Sequence, residues 1–204
     1  MPFQSLEYLI FLPVIFILYW TICRGSKTLQ NGLIVAASLV FYGWLDWRFL
    51  GLLLITAFST FFAGWWMGKI SDQKRRKWIH IGTIVLNIGI LFFFKYFDFF
   101  VQSFTDVFSL LGAKTGMHTL QILLPVGISF YTFTALGYSI DVYQRKVDPN
   151  HDILAYLAYV TFFPSILSGP ISRAQKQLPQ YFQFRVFDND KAVTACGLML
   201  WGGC

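Results

Sequence analysis

The chain has 204 residues, of which 56% are hydrophobic and 20% aromatic but only 13% charged, with a mean hydropathy of +0.56. Soluble domains carry about 25% charged residues, so this composition excludes an ordinary soluble domain and makes the bilayer the solvent. The formal charge of +6 resides in short loops between apolar runs, where Lys and Arg orient membrane helices, which sets nucleic-acid binding aside.

Residues 8–22 form the first apolar run, interrupted by Pro13 and followed by Arg24 and Lys27. The preceding MPFQSLEYL lacks the basic start of a signal peptide, so this run is expected to stay as a membrane anchor. Residues 31–45 and 49–68 give the next two spans, bounded by Trp44, Trp47, Trp65 and Trp66, which suit interfacial belts. The loop KISDQKRRK, residues 69–77, carries five basic residues against one acid. By the positive-inside bias it is cytoplasmic, and three crossings then put the N-terminus outside.

Residues 78–94 cross back out. In residues 96–111, Asp98, Gln102, Thr105 and Ser109 recur at helical spacing, which predicts an amphipathic helix lying in the outer interface, with an ordinary span as the alternative. Residues 122–140 then cross inward and place Arg145 and Lys146 in the cytoplasm. Residues 153–171 are broken by Pro164 and by Gly169-Pro170. A simple outward crossing there would export Arg173, Lys176, Arg185 and Lys191, so the stretch is read as re-entering from the cytoplasmic side. Residues 192–204 begin one more apolar helix. The expected fold is therefore an all-α, polytopic membrane helix bundle with a re-entrant segment.

Candidate chemistry concentrates in residues 124–173. Gly127, Tyr131, Thr134, Tyr138 and Asp141 share one helical face, a strip that either glues helices together or marks a substrate pathway. Thr161, Ser165 and Ser168 bring polar groups beside the breaks, and Arg173 and Lys176 stand at the cytoplasmic mouth. A basic mouth on a buried groove suits an anionic cytosolic ligand, although the same cations also satisfy the topology bias. His80, His118 and His151 lie at a span start or in polar connections and are weak candidates for a general base. Cys23, Cys196 and Cys204 have no metal-ligand or disulfide spacing, so no metal site is expected. Gly64 and Gly68 form a lone GxxxG. Broken helices also build transporters, but no internal repeat accompanies them here. A non-catalytic scaffold of an envelope polysaccharide export complex is a further alternative.

LPVGISFYTFTALGYSIDVYQRKVDP (124–149) and LAYVTFFPSILSGPISRAQ (157–175) closely resemble the membrane-bound O-acyltransferase family, in its alginate O-acetylating branch, and the likeness extends along essentially the whole chain. The resemblance implies helices and re-entrant segments around a tunnel. Through it, acetyl groups from cytosolic acetyl-CoA would pass toward an extracytoplasmic polysaccharide, in a bacterial inner membrane and with partner proteins that complete polysaccharide acetylation. Phe163, Pro164, Gly169, Pro170 and Arg173 match the family's FFP-x4-GPI-x-R element, and Tyr131, Tyr138 and Asp141 match the preceding helix. The expected substrate-lining residues are Tyr131, Tyr138, Asp141, Ser168 and Arg173, with Arg173 and Lys176 toward the acetyl-CoA donor. The family's catalytic histidine lies beyond the LWG element at Trp201. None of the three histidines matches it, so residues 1–204 are expected to be the N-terminal part of one transmembrane domain, without a catalytic residue or acyl transfer of their own.

Overall fold

A computed structural model describes residues 6–110, 127–166 and 174–201. Among them every regular element is helical: α1 (Leu6–Thr21), α2 (Lys27–Asp46), α3 (Leu50–Lys69), α4 (Gln73–Leu110), α5 (Ile128–Tyr143), α6 (Ile153–Val160), α7 (Phe163–Ile166), α8 (Ala174–Phe182) and α9 (Asn189–Trp201). Three stretches, Lys27–Leu45, Trp47–Lys69 and Gln73–Tyr96, are long and apolar enough to cross a membrane. Their outward faces carry Val40, Ile55, Phe62, Val85, Phe92 and Phe93, all exposed, as a lipid-facing surface requires.

One expectation needs correcting. Residues 96–111 do not start a separate interfacial helix, because α4 runs unbroken from Gln73 to Leu110 over 38 residues. At 1.5 Å per residue it is about 57 Å long, well beyond the roughly 30 Å hydrocarbon core. No Gly or Pro stands between Gly89 and residue 111, so nothing in the backbone breaks the hydrogen-bond ladder. The spaced polar residues reported helical period correctly but carried no information about where the helix turns.

The core is held by α5, which packs against α3 and α4 and touches α6, α7 and α8. It begins at Gly127, whose φ of 77° is open to glycine without a Cβ clash. Close approach to α3 depends on the two glycines of the GxxxG. A Cβ on Gly64 would lie 2.8 Å from the Tyr138 ring, and one on Gly68 would lie 2.3 Å from Pro149. The motif therefore serves packing within the chain.

At the end of the bundle that carries the 69–77 loop, α4 closes over the end of α5. Arg76, only 5% exposed, donates through Nη2 to the carbonyls of Val142 at 3.1 Å and Tyr143 at 3.3 Å, supplying a side-chain donor to the carbonyls that end the helix. One turn on, His80 Nδ1 lies 3.2 Å from Ser139 Oγ, and its ring stacks on Tyr143 at 4.5 Å. Asn87, fully buried, donates to Ser59 Oγ at 3.1 Å and ties α4 to α3 deeper in the bundle.

Gly64→Ala is expected to destabilise by about 1–3 kcal/mol, since Tyr138 is fully enclosed and cannot yield. Gly82→Ala, with nothing within 4 Å of the added Cβ, is expected to be neutral or stabilising by up to about 1 kcal/mol. Thermal unfolding of both variants in detergent checks the pair, and equal effects would refute the close-approach account.

Candidate functional site

The site grows from a helix break. α6 ends at Val160, Thr161 and Phe162 leave the helix, and α7 resumes at Phe163. Pro164 lies inside the first turn of α7, where a missing N–H costs nothing, so the interruption falls just before it. Freed backbone groups in a membrane need protein partners. Here Ser38 Oγ of α2 accepts the Phe163 N–H at 3.2 Å while its own hydroxyl donates to the Ile34 carbonyl at 2.7 Å. Ser38 lies eleven residues into α2 from Lys27, a depth of about 16 Å, half the hydrocarbon thickness.

The path on both sides of the break follows from contacts. Before it, Pro149 abuts Gly68 near the end of α3. Asp152 caps α6 by accepting from the Leu154 and Ala155 N–H groups. After it, Asn31 Nδ2, near the start of α2, donates to the Tyr181 carbonyl at 2.9 Å. Because α2 and α3 are antiparallel neighbours, the start of α2 and the end of α3 share one side. The chain thus enters at Asp152, breaks near mid-depth, and is back at the same side by Tyr181, which is the re-entrant course read from charge.

Tyrosines line this course. Tyr156, wholly buried, places its hydroxyl 2.6 Å from Thr60 Oγ1 and its ring 4.7 Å from that of Tyr138. Tyr138 accepts the Asn150 N–H at 2.9 Å, which fixes the loop leading into α6. On the returning limb, Gln30 Nε2 donates to the Arg185 carbonyl at 2.9 Å and Gln30 Oε1 accepts the Arg185 N–H at 3.3 Å. Arg185 donates through Nη2 to Asn31 Oδ1, and its guanidinium lies 5.6 Å from the Tyr19 ring and 5.2 Å from the Tyr181 ring. Burial pushes the Tyr181 hydroxyl up to about 12, with Arg185 opposing and Tyr19 adding to the rise, so it stays a neutral donor at physiological pH.

Beside the break opens a groove of about 330 Å³. One wall is Leu12, Ile15, Phe16, Tyr19 and Trp20 of α1, the floor is Ile34, and the other wall is Phe162, Phe163 and Pro164. Gln177, Gln180, Tyr181 and Arg185 close its polar end. The arrangement can seat a slender ligand with an apolar body and a polar or anionic head. Among the described residues its lining supplies orientation and charge, through Gln177, Gln180, Tyr181 and Arg185.

Of the residues singled out from sequence, Tyr131 is buried with Phe41, Tyr42, Phe163 and Ile166 beneath the break, and Tyr138 is enclosed among α3, α6 and the 150 loop. Asp141 is half-buried at the end of α5, where its carbonyl accepts the Lys146 N–H at 2.9 Å. Lys176 is exposed on α8, next to the groove residue Gln177. Ser168, Gly169, Pro170, Arg173 and His118 lie outside the described residues. His80 is a packing and hydrogen-bonding residue between α4 and α5, away from the groove, and His151 is exposed. Among the described residues no cluster of His, Cys, Asp and Glu could hold a metal ion. Ser38, Gln30, Asn31 and Arg185 were missed in the sequence because each is an ordinary polar residue near a span end or interior. Only Ser38 stands isolated within an apolar run, a signal that could have marked it.

The chain is 34% identical over 99% of its length to a protein of Pseudomonas aeruginosa named "Probable alginate O-acetylase", covering 38% of that protein. It is 32% identical, again over 99% of its length, to a protein of the same name from Azotobacter vinelandii, covering 40%. A "Peptidoglycan O-acetyltransferase" of Helicobacter pylori is 29% identical over 84% of the chain and is covered over 36%. The chain spans about two-fifths of the length of these relatives. No family model matches it, and no solved structure matches it.

Arg185→Lys keeps the charge but loses the planar fork to Asn31 and the stacking between two phenol rings. With the side chain partly exposed, the expected loss is about 1 kcal/mol. Lys176→Gln, on the exposed face of α8, is expected to change stability by under about 0.5 kcal/mol. Unfolding midpoints measured side by side decide whether Arg185 braces the groove.

Proposed function

Because the chain is 34% and 32% identical, along 99% of its length, to proteins named alginate O-acetylases, we propose that it belongs to the membrane-bound O-acyltransferase family and forms part of a membrane enzyme. That enzyme moves acetyl groups from cytosolic acetyl-CoA toward an extracytoplasmic polysaccharide. The observation that carries this reading is the likeness to proteins named O-acetylases along 99% of the chain. The groove supports it chemically, because its Phe162-Phe163-Pro164 wall is the element on which the resemblance was drawn and its polar end opens on the side assigned to the cytoplasm.

In this reading the chain's residues position rather than react. The apolar walls exclude water from a seated acyl group, which strengthens every electrostatic contact made there. Arg185, Gln177 and Gln180 orient the polar part of the donor, with Arg173 and Lys176 adding positive charge at the mouth. Tyr131, Tyr138 and Asp141 shape the pathway from behind the break, and Ser168 is assigned to it by the family resemblance alone. The general base of the transfer is a histidine outside this stretch, as the family resemblance implies, acting as base or brief acyl carrier. The enzyme sits in a bacterial inner membrane with the N-terminus extracytoplasmic and works with proteins that complete the acetylation outside.

Deletion of the encoding gene is expected to remove O-acetyl esters from the cell's exported polysaccharide while leaving the exported amount unchanged. Ester quantification on purified polysaccharide tests this. Unchanged ester content, or export that falls in step with it, would sink the acetyltransferase reading.

A further inference from the structure

A second cavity, of about 270 Å³, lies between the end of α3, the start of α4 and the end of α5, separate from the groove. Its lining includes Ser71, Arg76, Arg145 and Asp148. Arg76 is 5% exposed, and while its Nη2 holds the α5 carbonyls, its Nε has no partner. A buried guanidinium is ordinarily paired. Yet among the described residues no carboxylate forms an ion pair with Arg76 or with Arg145, and Asp72 is taken by Arg75. Arg145 and Asp148 are both exposed, leaving two guanidiniums against one carboxylate at the cavity.

The backbone singles out Arg145 independently. The Lys146 N–H donates to the Asp141 carbonyl and the Arg145 N–H to that of Val142, the paired bonds of a Schellman helix end, whose turning residue is usually glycine. Here that residue is Arg145, at φ 58°, a left-handed conformation unfavourable for a residue with a Cβ. The chain bears that strain and gains an unpaired cation beside the cavity, a pattern found at ligand sites.

The cavity also sits at the level of the aromatic belt. Lys69 Nζ lies 3.5 Å over the Trp65 ring, and Trp66 and Trp78 are 57% and 74% exposed, as side chains at a lipid headgroup layer are. Basic pockets between membrane helices on the cytoplasmic side suit anionic lipid headgroups. We propose that this cavity binds the phosphate of an anionic phospholipid, held by Arg145, with the buried charge of Arg76 lining the cavity behind it. The proposal stands apart from the acetyltransferase reading.

The test is thermal unfolding of the chain in uncharged detergent with phosphatidylglycerol, phosphatidylcholine or inorganic phosphate added. Phosphatidylglycerol is expected to raise the midpoint by about 4 °C, and the other two to leave it unchanged. Arg145→Gly is expected to match or exceed the parent midpoint without lipid, because glycine relieves the left-handed strain, and to lose the phosphatidylglycerol increment. Lys146→Ala is expected to keep it. The proposal is overturned if phosphatidylcholine or inorganic phosphate gives the same increment, if Arg145→Gly retains it, or if Lys146→Ala loses as much as Arg145→Gly.

Discussion

One hydrogen bond at mid-membrane, from the Phe163 N–H to Ser38 Oγ, carries the constraint on which the rest depends. Hydrocarbon offers no partner for a backbone group freed from a helix, and such a group costs several kcal/mol if left unpaired. A helix can therefore stop at that depth only where another helix brings an acceptor. Ser38 is such an acceptor, 1% exposed in an otherwise apolar stretch of α2. With it in place α6 can end, the chain can reverse, and a groove can open at the reversal.

Holding the reversal requires both limbs to be fixed at one membrane face. The entering limb is set by Tyr138, which meets Asn150 and lies against Gly64, and by Tyr156 on Thr60. The leaving limb is set by Gln30 and Asn31, which take up backbone groups at Tyr181 and Arg185. Both sets work by the same physics: a phenol or amide supplies apolar or planar area for packing and one polar atom for an exposed backbone group. The groove is what remains between these limbs and α1, whose opposite face carries the exposed Ile10, Val14 and Ile17.

The positive residues divide into two kinds. Lys69, Lys74, Arg75 and Lys176 are solvated. Arg76 and Arg185 are drawn into the fold, one onto the carbonyls ending α5 and the other between two tyrosine rings. Arginine suits both places because its planar fork satisfies several acceptors and stacks on aromatic faces. The same basic side thus braces the bundle, closes the polar end of the groove and lines the second cavity.

Apolar runs of bilayer length and loops rich in Lys and Arg determined, by themselves, that this chain is an all-helical membrane bundle with a re-entrant segment over residues 153–171. Those features are local: a run's length is measured against the bilayer, and a loop's charge against its two faces. The resemblance in residues 124–175 likewise named the family and pointed to Phe163 and Pro164 at the groove. Sequence did not say that α4 continues through residue 110, because a polar stripe has the same period on a lying helix as on a standing one. Nor did it single out Ser38, Gln30, Asn31 or Arg185, whose partners lie more than 120 residues away in the chain. Which polar residue serves a distant backbone group, and which tyrosine fills the space a glycine leaves, depends on how helices meet, and only the tertiary structure decides that.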